Sequence, residues 1–186
     1  MPRLRSLLLV FLCWATLAAP AAAAQTPTFR IWSDDLKGGT FAPEHIFNGF
    51  GCTGGNVSPH LAWTGAPQGT KSFVITAYDP DAPTGSGFWH WVVANVPAST
   101  TMLATSASRS PRLPTGALET RTDFGAPGYG GPCPPAGNQP HRYIFTIHAL
   151  SVDKLDVNAD MSAALVGFLT NASRIASASF TARHGR

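Results

Sequence analysis

The chain has 186 residues, with 13 Lys and Arg against 10 Asp and Glu, a formal net charge of +3, and 18 Gly and 16 Pro. That length suits one domain with a sizeable core. The basic residues form no cluster, which argues against a nucleic-acid groove and against charge-driven attraction to a membrane surface.

The first 24 residues read as an export signal. Arg3 and Arg5 make a basic start, Leu7 to Leu17 an apolar core too short to span a bilayer comfortably, and Ala22-Ala23-Ala24 a small-residue cleavage site. No stop-transfer pattern follows, so no transmembrane anchor is expected. Cys13 suggests a lipoprotein, but the bulky Phe11 and Leu12 before it argue against that processing. Cleavage after Ala24 leaves residues 25–186 as a single domain of 162 residues, periplasmic or secreted. Without Arg3 and Arg5, 11 basic residues face 10 acidic ones, so the mature charge is about +1.

Beyond the signal, short apolar runs alternate with Gly- and Pro-rich turns, the pattern of a mainly β sandwich or barrel. Strands are expected at Phe29 to Trp32, His60 to Trp63, Ser72 to Tyr78, Trp89 to Val96 and Arg142 to Leu150. The Ser72 and Arg142 runs are rich in β-branched and aromatic residues, as buried strands are. Thr100 to Pro114 reads as a polar, mobile connection. A helix is expected near Met161 to Ala176, capped by Asp160, with Leu165, Phe168, Leu169 and Ala172 on its apolar face. Ser177 to Arg183 reads as a final strand. The formal glycosylation sequon Asn171-Ala172-Ser173 lies on that helix and is discounted.

Cys52 and Cys133 remain after the leader. An even pair in an oxidising compartment is expected to be bridged, the alternative being two free buried thiols. A bridge closing so long a loop would stabilise by roughly 4 kcal/mol on the chain-entropy model.

Two segments carry the chemistry. Asp79-Pro80-Asp81-Ala82-Pro83 precedes Trp89-His90-Trp91, and Gly131-Pro132-Cys133-Pro134-Pro135 precedes His141-Arg142-Tyr143. Proline fixes φ and removes a backbone donor, so both loops should be stiff. Each sets polar groups beside an apolar run. They resemble the two signature regions of the phosphatidylethanolamine-binding protein family, in particular its bacterial, Raf-kinase-inhibitor-like branch. Phe50 to Pro59 and Arg121 to Gly131 resemble that branch too, so the resemblance covers roughly Phe29 to Arg183.

The resemblance implies a phosphatidylethanolamine-binding-protein-like β sandwich, with a large central antiparallel sheet and peripheral helices. Its anion site falls on Asp79, His90, His141 and Tyr143, with the backbone of Ala82 and Cys133 beside them. Pro83, Pro134 and Pro135 shape the walls. Eukaryotic members carry a further C-terminal helix beside the pocket. No counterpart follows the last strand here, which implies a more open site. They also carry a second His where this chain has Trp89.

Tyr143 can donate its phenolic proton to an oxyanion, and His90 and His141 can donate through N–H. Protonation of these imidazoles would strengthen anion binding toward about pH 6. Asp79 repels an anion, so it would act by orienting a His, raising that His pKa, or accepting from a ligand amine or hydroxyl, with orienting His90 the preferred role. Asp81 and Arg142 are expected to pair across the two loops, the alternative being that both point to water. On a regular strand Trp89 and Trp91 lie on the face opposite His90. His45, His60, His148 and His184 match no metal spacing, and no cofactor or metal is expected.

The first functional reading is a protein that binds a small anionic head group and acts through binding or through regulation of a partner. The second is an inhibitor of an envelope or secreted hydrolase. The third is an enzyme using an Asp79–His90 pair, which lacks a recognisable nucleophile motif. A homodimer is compatible with all three.

Overall fold

The computed structural model describes residues 28–186. The expected leader and its cleavage point lie outside the described residues. In chain order the strands are β1 (Arg30–Trp32), β2 (Asn48–Gly49), β3 (Cys52–Thr53), β4 (Leu61–Thr64), β5 (Ser72–Asp79), β6 (Phe88–Pro97), β7 (Met102–Leu103), β8 (Leu118–Glu119) and β9 (His141–Leu150). The helix α1 (Ala163–Ser173) and the strand β10 (Arg174–His184) follow.

The fold is mainly β, as expected. A five-stranded antiparallel sheet runs β10-β9-β5-β6-β8, and a three-stranded sheet runs β1-β4-β7. The central β5 is buried on both faces except at Tyr78. Its Phe, Val, Ile and Thr residues suit such a two-sided environment. On one face, Phe73, Ile75, Trp91, Phe145 and Ile147 meet Ile31, Leu61 and Trp63 of the smaller sheet. On the other, Val74, Val92 and Ala94 meet Leu155 and the α1 residues Ala163 and Val166. The large sheet therefore has two cores, one shared with each neighbouring layer.

Three expectations are corrected here. Helix α1 is shorter than expected, and its N-cap is Ser162, whose Oγ accepts from Leu165 N, rather than Asp160. It buries Ala163, Val166 and Thr170, while Leu165 and Phe168 are 44% and 71% exposed. The small residues let the helix lie close to the sheet. The helix also stops early because the chain from Arg174 pairs with β9, Arg174 standing opposite Leu150. The third correction concerns Thr100 to Pro114, which is held in place rather than loose. Leu103 and Ala107 are fully buried, Ser106 N and Ser108 N donate to Ser58 O and Oγ, and Arg109 N donates to Glu119.

Candidate functional site

A pocket of about 130 Å³ opens at the end of the large sheet where β5 finishes and β6 and β9 begin. Antiparallel pairing creates this junction. Asp79, the last residue of β5, stands opposite Phe88, the first of β6, and Tyr78 stands opposite Ile144 on β9. The pocket is lined by Asp79, Ala82, His90, Cys133, His141 and Tyr143, together with Pro83, Pro134 and Pro135. His141 and Tyr143 share one face of β9, and Arg142 between them points outward.

His90 reaches the pocket through a β-bulge. Tyr78 pairs with Trp89 and Ala77 with Trp91, so one step on β5 spans two on β6 and His90 is the extra residue. The expectation that both tryptophans lie opposite His90 is therefore corrected. Trp89 packs on the helix side with Val74 and Val92, whereas Trp91 joins the inter-sheet core with Tyr143. The His90 ring sits edge-on to Tyr143 and Phe124, at centroid distances of 5.1 and 5.4 Å.

His90 is tied twice to one residue of the second wall. Gly130 N donates to His90 O at 2.9 Å, and His90 Nδ1 meets Gly130 O at 2.8 Å. A carbonyl only accepts, so Nδ1 carries the proton. Burial pushes the His90 pKa down, against the opposing pull of Gly130 O, Asp79, Gly131 and Asp123. Burial thus disfavours the charged ring, which works against the sequence-based expectation that His90 becomes cationic toward pH 6. The reason is desolvation in an aromatic wall.

Asp79 does not orient His90. Its Oδ2 accepts from His141 Nδ1 at 2.8 Å and its Oδ1 accepts from Asp81 N, also at 2.8 Å. Both groups are buried, Asp79 at 3% and His141 at 4% exposure. The carboxylate thus fixes the His141 tautomer and the turn that begins the first loop. Nε2 of His141 faces Asn138 Nδ2 at 3.4 Å.

The Tyr143 hydroxyl is buried and has no hydrogen-bond partner in the protein. Burial, with Asp79 and Asp81 nearby, pushes its pKa well above the usual phenol range, so it remains a proton donor. A buried polar group without a partner in the protein is costly.

The two walls are braced outside the pocket. Arg142 donates from Nε and Nη2 to Asp81 at 2.9 and 2.6 Å, and Arg142 N donates to Asp81 as well. The Arg142 hydrogen bond holds the Asp81 carboxyl down at about 2. Cys52 and Cys133 form a disulfide with a Cα–Cα distance of 6.0 Å. Gly131 passes so close to His45 O that a Cβ there would lie 2.2 Å from it. Only glycine fits, and Gly131 N donates to Asn56 Oδ1 at 2.8 Å. Arg186 ties the walls together at their rim, donating to Pro134 O and to Phe50 O and Gly51 O.

Sequence reasoning missed the aromatic part of the lining, Phe50, Phe88 and Phe124, and also Thr84. Phe124 touches Phe50 and Phe88 at ring separations of 5.9 and 4.8 Å. Phe50 and Phe124 stand inside the segments that flank the two loops. Phe50 is 69% exposed and has φ of 53°. An exposed aromatic residue in a left-handed conformation is an outlier that only the structure reveals; in the sequence the signal was the place of Phe50 and Phe124 in those segments. Among the described residues, no group of three or more His, Cys, Asp or Glu is placed to hold a metal ion.

A large antiparallel sheet packed on both faces, with a small pocket at one end of its central strands, defines the class, and comparison with known proteins defines the family. The profile of the phosphatidylethanolamine-binding protein family matches residues 36–185. The chain belongs to that family. It is 51% identical over 168 residues to the UPF0098 protein YbcL of Escherichia coli, covering 89% of this chain and 92% of the relative. It is 54% identical over 155 residues to YbhB of the same organism, covering 82% and 98%. The crystal structure of E. coli YbcL superposes with a TM-score of 0.83 at 50% identity, over 85% of this chain and 98% of that one. The CT736 homologue from Chlamydia trachomatis shares the fold, with a TM-score of 0.71 at 24% identity, over 85% and 97%. A Mycobacterium tuberculosis relative, 34% identical over 138 residues (74% of this chain, 61% of the relative), carries a lipoprotein name, LppC.

Proposed function

We propose that this chain is an exported binding protein whose pocket takes the oxyanion of a small head group, and that it acts by presenting or withholding that ligand from a partner. The observation that carries the reading is the Tyr143 hydroxyl, buried without a partner beside two tautomer-locked histidines. The residual donor is satisfied when an oxyanion enters. The pocket is small, and its Phe50, Phe88 and Phe124 wall suits the short carbon chain of a head group rather than a lipid tail.

Export is supported by the leader pattern over residues 1–24, by the disulfide, which belongs to oxidising compartments, and by the lipoprotein name of one relative. No helix among the described residues is long and apolar enough to cross a membrane.

The enzyme reading expects an Asp79–His90 pair, but Asp79 bonds His141 and His90 bonds Gly130, so a general base would have to be the Asp79–His141 pair instead. Nucleophilic chemistry draws no support from the lining. Cys133 is tied in the disulfide and Thr84 Oγ1 donates to Gly87 O. The inhibitor reading, aimed at an envelope hydrolase, has no observation that favours it over ligand binding.

Native mass spectrometry of the protein taken from its own compartment tests the reading, together with an NMR titration with inorganic phosphate. A co-purified phosphoryl or carboxylate species, and phosphate-induced shifts centred on His90 and Tyr143, are expected. A ligand-free protein whose pocket resonances do not move at tens of millimolar phosphate would end it.

A further inference from the structure

The hydrogen-bond polarity of the pocket goes beyond a site that attracts negative charge. His90 Nδ1–H is committed to Gly130 O at 2.8 Å. No hydrogen bond within the protein involves Nε2 among the described residues, and His90 lines the pocket. In the neutral ring this second nitrogen is a lone pair, an acceptor. The other tautomer would set the Nδ1 lone pair against the lone pairs of Gly130 O. Turning the ring would break the Nδ1–Gly130 O hydrogen bond and the edge-on packing against Phe124 and Tyr143. His141 has the same pattern, with Nδ1–H given to Asp79 and Nε2 left as an acceptor. Its Nε2 meets Asn138 at 3.4 Å, so His90 is the less served of the two.

The pocket therefore sets an acceptor, His90 Nε2, beside a donor, Tyr143 Oη–H. A fully deprotonated oxyanion satisfies the hydroxyl but turns a lone pair toward Nε2. An oxyanion that keeps one proton satisfies both. The geometry points to a pocket specific for oxyanions that carry a hydrogen, such as the monoanion of a phosphate monoester, with His90 as the specificity-determining residue. This rests on the oxyanion-binding reading and narrows its ligand to acids that retain a P–OH or an equivalent donor.

The groups facing His90 fit this assignment. Asp79 comes from β5 and Tyr143 from β9, Asp123 precedes the second loop, and His141 stands beyond Asp79. Both carboxylates favour a proton at the His90–ligand contact. Burial opposes placing a full positive charge on the ring, so the proton stays between ligand oxygen and Nε2. No covalent bond forms or breaks. One proton enters with the ligand, or from solvent when the dianion is the species offered.

Methyl phosphate and methyl sulfate make the test. They have the same shape, and near pH 5 both carry a single negative charge, but only the phosphate monoester retains a proton, lost at about pH 6. Calorimetric or NMR titration near pH 5 should give methyl phosphate an affinity at least about tenfold above methyl sulfate, the size expected when a buried acceptor goes unpaired. From pH 6 to pH 8 the affinity for methyl phosphate should fall by well over tenfold as the monoanion disappears. In His90→Gln an amide N–H can turn to the ligand, and the preference should shrink to within about threefold.

Equal binding of the two esters, or a flat pH profile for methyl phosphate, overturns the inference and leaves oxyanion binding intact. Failure of both esters to bind overturns oxyanion binding itself. The wild-type ratio and its pH slope decide the question if His90→Gln does not fold.

Discussion

Asp79 accepts the Nδ1 proton of His141 at 2.8 Å, joining the last residue of β5 to the first of β9 at the mouth of the pocket. The pair leaves His141 with an acceptor toward Asn138 and the pocket, and it frees His90 to be set by Gly130 instead. The two histidines are thus oriented by different walls, one by a carboxylate and one by a carbonyl.

Asp79→Asn should reverse the polarity of His141. An Asn amide placed against Nδ1 donates, which moves the ring proton to Nε2. The variant should bind methyl sulfate more tightly than wild type, and nitrogen chemical shifts of His141 should report the exchanged tautomer. Weaker sulfate binding with an unchanged tautomer would show that Asp79 acts otherwise.

The Cys52–Cys133 disulfide spans a sequence separation of 81 residues and joins the start of β3 to the second pocket wall. Its removal in a Cys52→Ser, Cys133→Ser double variant should cost roughly 4 kcal/mol by the loop-closure model. Urea denaturation measures this. Thiol titration of the denatured wild-type protein should find no free thiol at these two positions until a reductant is added.

His148 offers a test of acid stability away from the pocket. Its Nδ1 is buried without a partner, and burial together with Arg174 lowers its pKa to about 4. The unfolded chain binds this proton near pH 6.5, whereas the folded protein binds it only near 4. Stability should therefore fall as pH drops from about 6.5 to about 4, by on the order of 3 kcal/mol from this group. His90, with its pKa lowered in the same direction, adds to the slope. In His148→Val the decline across that window should be visibly shallower, as read from denaturation midpoints at a series of pH values.

Phe50 and Gly51 form the two-residue turn between β2 and β3, with φ of 53° and 84°. Both values are positive, as a primed hairpin turn requires, and Asn is much the better residue at the first position. Phe50→Asn should raise stability by a few tenths of a kcal/mol to about 1 kcal/mol. It should also weaken a ligand that carries a carbon chain, while inorganic phosphate binds as before. If chain-bearing ligands bind equally well to the variant, the aromatic lip has no part in recognition.

Local chemistry determined much of this protein. The Val-, Ile- and Phe-rich runs at Ser72 and Arg142 became central strands because such residues suit a two-sided sheet wherever it forms. The Pro-rich loops could be read as stiff walls because proline restricts its own φ without help from elsewhere. The position of His141 and Tyr143 on one face follows from strand alternation alone. Tertiary structure decided the rest. A bulge opposite Ala77 and Tyr78 turned His90 from the helix side to the pocket side, and no property of Trp89-His90-Trp91 by itself announces a pairing offset on β6. The partner of Asp79 was settled by β9 lying beside β5, 62 residues away in sequence. The face of α1 was chosen by the closeness of the sheet, which favoured Ala163 and Val166 over the larger Leu165 and Phe168. Each of these depends on contacts between distant segments, where packing and pairing energies outweigh local preference.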